Sequence, residues 1–264
     1  MTEVTRILAK WVVDSKLDRI PAEVRKSGAA SFLNWMGCAV GGSRHETLDR
    51  AIAALKPFSG PAQAPILGRK ERFDILHAAL LNGMSSHVFD FDDTHLKTII
   101  HPAGPVASAV LPLAEYMPVT GAGLLHAFIL GVEVECRIGN AVYPEHYDVG
   151  WHITGTAGIF GSTAASGRLL GLSERQMVWA LGIAATSASG LRLQLGSMTK
   201  CHNLGNAARS GLHQRAASAR ICGPSSAMSR PSLRALTITS SATRLATAPA
   251  WMPCGWPMVP APTP

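Results

Sequence analysis

Apolar residues recur with helical spacing along most of the chain. Val4, Ile7, Leu8, Trp11 and Val12 trace the i, i+3, i+4, i+7, i+8 stripe of an amphipathic helix. Pro21 suits the first turn of a second helix, which runs to about Val40 and stops at Gly41-Gly42. The same period predicts helices at about 46–55, 72–87, 105–117, 122–142, 154–170, 173–189 and from about 205, with a Pro- and Gly-dotted loop at 57–70. Ser173 followed by Gln176 is a capping-box signature at the head of one of them. Alternating β-branched runs and Asn-Gly turns are scarce, so the expected fold class is all-α.

Two segments are built from small side chains: TGTAGIFGSTAASG at 154–167 and LGIAATSASG at 181–190. Small residues let helix backbones approach closely, which favours tight core packing. The second reading is room for a ligand against backbone groups. The most membrane-like stretch, Gly104 to Val132, holds Glu115, His126, Pro105, Pro112 and Pro118. It reads as two buried helices and a loop, so no membrane partner is expected.

The composition changes at about residue 212. Residues 212–264 carry five arginines, no lysine, no acid and eight prolines, with no sustained helical period. The chain is therefore divided into a helical domain at 1–211 and a Pro/Arg/Ser-rich tail. The formal charge of +7 divides the same way. Residues 1–211 hold 19 basic and 17 acidic side chains, so they are nearly neutral, and the tail supplies the excess. A basic nucleic-acid arm would want lysines and clustered arginines, so no nucleic-acid partner is expected. A disordered tail and a shifted reading frame of a GC-rich gene are the other two readings, and the frameshift is favoured. The five cysteines form no CxxC pair, which argues against a disulfide framework or structural zinc and for a reducing compartment. Met1 to Lys16 alternates charge with apolar residues and lacks the core of a signal peptide, so a cytoplasmic protein is expected.

Chemistry concentrates in His87-Val-Phe-Asp90-Phe-Asp92-Asp93-Thr94-His95, followed by His101-Pro102. Three carboxylates within four residues repel one another, so their proton affinities should rise unless cations lie close. The cluster admits three readings: a metal site from Asp90, Asp93, His95 and His101, a general acid/base group centred on His101, or a helix-to-loop junction whose carboxylates cap backbone N–H groups. The spacing matches no known metal-loop pattern, and the last two readings stand level. His152 precedes a small-residue helix and Lys200 lies in a Gly-flanked loop. Each is weak alone, although both suit an anion held at a helix start.

Taken together, LNGMSSHVFDFDDTH, HPAGPVASAVLPLAE, GVEVECRIG, the WHITGT…SASGL run and TKCHNLGNAARSG resemble the MmgE/PrpD family in the same order over about residues 1–211. Its members include 2-methylcitrate dehydratase and cis-aconitate decarboxylase. The resemblance implies a homodimeric lyase that needs no metal or other cofactor and acts on a small di- or tricarboxylate. It implies a large helical domain and a smaller α+β lid, of which only the helical domain is recognisable. It makes Asp90, His101, His152 and Lys200 catalytic, and places Asp93, Thr94 and Lys200 against the substrate. Two local departures stand out: the Thr94–His101 loop is about one residue long, and His202 comes one place early after Lys200. The tail matches nothing in the family. A lid-less chain would lose water exclusion, so an inactive fragment and a basic-tailed binding module remain as alternatives.

Overall fold

A computed structural model describes residues 4–220, with side chains described through His213. Of the tail reading at 212–264, only 212–220 fall among these, and the rest lies outside the described residues. Helix α1 spans Val4–Asp14 and α2 Ala22–Gly42, with Pro21 immediately before it. The remaining helices are α3 Glu46–Leu55, α4 Ile75–His87, α5 Ala103–Tyr116, α6 Gly121–Val142, α7 Glu145–Asp148, α8 Ile153–Leu169, α9 Glu174–Ser187 and α10 Lys200–Arg220. Strands β1 (Ala64–Pro65) and β2 (Arg72–Phe73) form a two-residue antiparallel ladder. The all-α expectation therefore holds among the described residues.

The structure differs from the sequence reading at two helix boundaries and in one buried face. α4 begins at Ile75, because Asp74 caps it by accepting from the backbone N–H groups of Leu76 and His77, while Arg72 and Phe73 pair with β1. Burial alone would raise the Asp74 carboxyl, but these bonds and the His77 ring hold it down at about 2. α10 begins at Lys200 rather than near 205, and it continues past residue 211 to Arg220. The expected face of α1 is also rotated: Ala9 and Val12 are fully buried, whereas Ile7 is 45% exposed.

The core is organised around α8, whose residues from Ile153 to Gly167 are all buried. α5, α6, α9 and α10 pack around it, and α10 also packs along α4. Such contact on every side requires small side chains, so tight packing explains the 154–167 run. α6 crosses α8 where Gly131 and Gly161 face each other: a Cβ on either would sit 2.7 or 2.8 Å from the other's carbonyl oxygen. The Ser173 capping box forms as expected, with its side chain accepting from the Gln176 N–H. α5 and α6 are the two buried helices expected at 104–132. No helix among the described residues is long and apolar enough to cross a membrane.

Candidate active site

The N-termini of α5, α8 and α10 open onto the loop that follows α4. His87 lies in the last turn of α4, where the helix dipole favours a cation. His101 and Pro102 lead into α5, His152 is the residue before α8, and Lys200 is the first residue of α10. Hydrogen bonds knit these segments together. The His101 N–H donates to Thr154 Oγ1 at 3.2 Å. The His152 N–H donates to the Gly190 carbonyl at 3.0 Å, and the Arg192 N–H to the Gly150 carbonyl at 2.8 Å. The stretch bearing His152 is thereby tied to the one leading to Lys200.

The structure brings Asp90, His101 and Lys200 into contact. The Lys200 ammonium lies 2.6 Å from Asp90 Oδ1, and His101 Nε2 lies 3.6 Å from the same oxygen. Asp90 adopts φ +61°, a left-handed conformation that aspartate tolerates better than most residues. Ile99, in the long loop before His101, is also left-handed at φ +54°. For a β-branched residue this is strain, held here by the His95 N–H donating to the Ile100 carbonyl at 2.7 Å. Thr94 Oγ1 lies 3.5 Å from His101 Nδ1. His152 is buried with no partner for Nδ1, and its ring centroid is 6.2 Å from that of His87.

The three neighbouring carboxylates separate chemically. Burial raises the proton affinity of each. In Asp92 the His87 and His101 imidazoles outweigh burial and hold the carboxyl well below the usual range. In Asp90 the Lys200 ammonium, then His101, also outweigh burial and lower the carboxyl. In Asp93 burial, with the Asp92 charge, outweighs Ser31, the Ala103 N–H and the weaker pull of His101, and pushes the carboxyl up to about 6. Its oxygens accept from Ser31 Oγ at 2.7 Å and from the Ala103 N–H at 3.1 Å, so they anchor the loop to α2 and α5. Burial also opposes the protonation of His101, but Asp92 and Asp90 prevail and raise its proton affinity. His152 goes the other way: burial, then the charges of His87 and Lys200, push it down to about 3, so its ring is neutral at pH 7.

Donor atoms of His87, Asp90, Asp92 and His101 lie within 4.8 Å of one another. This is not the quartet expected from sequence: His95 bonds to Thr98 at 2.6 Å, and Asp93 faces Ser31. The chemistry of the quartet is that of an ion-pair network. Lys200 already neutralises Asp90, and both imidazoles turn Nδ1 toward the ionised Asp92, which can only accept. A metal taking those same two nitrogens would have to displace their protons.

His87 and Asp92 were not singled out as site residues by sequence. His87 Nδ1 lies 3.0 and 2.9 Å from the two Asp92 oxygens, and both side chains are fully buried. Asp92 also approaches His101 Nδ1 at 3.4 Å, so the carboxylate that orients His101 is Asp92 as well as Asp90. The available signal was the i, i+5 spacing of His87 and Asp92 across a helix end.

Behind Asp93, Glu135 on α6 is fully buried, and neither carboxylate oxygen has a hydrogen-bond partner in the protein. It faces the glycine notch of α8 at Gly158 and Gly161. Burial, and then the nearby Asp93, raise its proton affinity well above the ordinary value, which favours the neutral acid. A raised folded-state value means stability that is full below the unfolded pKa of about 4.3 and is lost as pH rises through the folded value. Glu135→Gln has no proton to lose, so its Tm relative to wild type is expected to climb between about pH 5 and pH 8. Thermal melts across that range check this, and a constant difference contradicts it.

The sequence comparisons show the family. The family model of the MmgE/PrpD N-terminal domain matches residues 6–232. The chain is 32% identical over 216 residues to a cis-aconitate decarboxylase of Aspergillus terreus, covering 79% of this chain and 44% of that protein. It is 30% identical over 219 residues to the human cis-aconitate decarboxylase, covering 80% of this chain and 45% of that protein. The chain therefore spans less than half the length of these relatives. A helical domain with this order of motifs and this match belongs to the MmgE/PrpD family.

Proposed function

We propose that the cleft bounded by Asp90, His101, His152 and Lys200 binds a small di- or tricarboxylate, and that the chain is the helical part of a lyase of the cis-aconitate decarboxylation or 2-methylcitrate dehydration type. One observation carries this reading: the Lys200 ammonium, at the head of α10, and the His101 imidazole meet on Asp90 Oδ1, with His152 within their electrostatic reach, where the N-termini of three helices converge. Helix N-termini, an ammonium and an imidazolium all favour anions, and a polycarboxylate offers two or three negative groups.

The roles follow from the charge states. Lys200 exchanges Asp90 for a substrate carboxylate. In decarboxylation the bond from carbon to a carboxyl group breaks, carbon dioxide leaves, and the electron pair stays on carbon. Lys200 stabilises that charge and His101, with its raised proton affinity, delivers a proton to the carbon. His152, kept neutral, accepts a proton or a hydrogen bond through its unpartnered ring nitrogen. In dehydration the same two imidazoles remove a proton beside a carboxylate and protonate the departing hydroxyl. Thr94 positions His101, and Asp93 acts through the loop it anchors. The chemistry assigned to these side chains calls for no metal or cofactor. The relatives' names favour decarboxylation over dehydration. The free thiols of Cys38 and Cys201 support a reducing, cytoplasmic setting. The family resemblance supports a homodimer.

Product analysis by NMR with cis-aconitate and with 2-methylcitrate tests the reading. One substrate is expected to be consumed, with His101→Ala slower by about 100- to 10,000-fold, the usual contribution of a proton-transfer group. No turnover by the correctly folded wild-type chain overturns the lyase reading, and binding without turnover leaves only the polycarboxylate site.

A further inference from the structure

We propose that His87 is a positioning residue: it donates its Nδ1–H to Asp92 and so holds that carboxylate against His101, fixing which nitrogen of the His101 ring faces the cleft. The inference rests on the reading of this cleft as a proton-transfer site. His87 has no exposed side-chain surface, so substrate reaches its neighbours and not its ring. Its Nδ1 meets both Asp92 oxygens, at 3.0 and 2.9 Å. Because an ionised carboxylate only accepts, that nitrogen carries the proton. Asp92 Oδ1 also lies 3.4 Å from His101 Nδ1. One buried carboxylate is thus shared by two imidazoles, each turning Nδ1 inward. His101 is left with Nε2 directed toward Asp90, which Lys200 also meets. The two rings also meet edge to face, with centroids 4.7 Å apart, so His87 braces the plane of His101 as well as its tautomer.

The charged and titratable groups around His101 come from four elements: Asp90, Asp92 and Asp93 from its own loop, His87 from α4, His152 from the start of α8 and Lys200 from α10. Within this set, His87 and Asp92 act on His101 in opposite senses. Removing the Asp92 charge takes away the main group that favours protonated His101. Removing only the His87 donor leaves Asp92 with His101 as its remaining imidazole partner, so His101 holds its proton more tightly.

An NMR titration of the full chain with ring-labelled histidines reads this directly, His101 being assigned by His101→Gln. Asp92→Asn is expected to lower the His101 midpoint by ~1 pH unit or more. His87→Gln, whose amide is displaced toward the Nε2 position, is expected to raise it. His87→Asn, whose amide nitrogen takes the place of Nδ1–H, is expected to leave it near wild type. An unchanged midpoint in a folded His87→Gln chain, or a shift in the same direction as Asp92→Asn, overturns the proposal. Should His87→Gln fail to fold, His87→Asn carries the test: a midpoint near wild type supports the proposal, and a displaced one overturns it. The titration needs no substrate, so a chain without lyase activity contradicts the functional reading and leaves this result standing.

Discussion

Lys200→Ala is expected to weaken polycarboxylate binding about 10- to 100-fold, the measured range for a charge-assisted hydrogen bond of about 1.5–3 kcal/mol. Two changes act together. The substrate loses the ammonium at the head of α10, and Asp90, 2.6 Å from that ammonium in the wild type, becomes a negative charge opposed mainly by His101. The second change should show independently of substrate: Asp90 loses the principal group holding its carboxyl down, so its titration moves upward. Lys200→Arg keeps the charge but replaces a compact ammonium by a planar fork, and is expected to fall between wild type and alanine. Equal affinity in the wild type and Lys200→Ala removes Lys200 from the site.

Gly205→Ala is expected to give a large loss of stability for a single added methyl. A Cβ at Gly205 would land on the Leu80 carbonyl oxygen of α4, and one at Gly83 would lie 2.7 Å from the Gly205 Cα. The obstruction is backbone, so no rotamer change relieves it and the two helices must separate. Overpacking of this kind costs roughly 1–3 kcal/mol or more, against a helix-propensity gain of at most about 1 kcal/mol for replacing glycine. At about 2–4 °C per kcal/mol for a domain of this size, Tm should fall by several degrees. α10 also carries Lys200, so the site should loosen with it. Gly37→Ala is the matched control: nothing lies within 4 Å of its added Cβ on the exposed side of α2, so propensity alone acts and Tm should rise slightly. Thermal melts of both variants decide the point, and loss of stability in both would show that steric crowding at Gly205 is not the cause.

The helical fold was legible because the period of buried apolar residues is local. α3, α6, α8 and α9 begin and end within about two residues of where the pattern predicts, and Ser173 announced its cap. The α10 start was missed because GSMTK reads as loop. The stripe Cys201, Leu204, Ala208 and Leu212, all buried, carried the signal from the first turn. Asp90, His101, His152 and Lys200 could be named only through the resemblance to a family, since no spacing rule brings residue 200 to residue 90. The division of labour among the acids was illegible for a further reason. Asp90, Asp92 and Asp93 are nearly adjacent in sequence, but the left-handed turn at Asp90 sends them to three different partners: Lys200, the His87–His101 pair, and Ser31 with Ala103. His87 was passed over for a related reason. In a helix whose other residues are almost all buried, a histidine reads as core until Asp92 is seen beside it.

Calorimetric titration of cis-aconitate into the 264-residue chain at low salt, beside Lys200→Ala, tests the central claim most directly. A single site is expected whose affinity falls as salt is raised and which is weakened about 10- to 100-fold in the variant. The absence of binding by the folded wild-type chain, or binding of equal strength in both, would contradict the assignment of this cleft to a polycarboxylate.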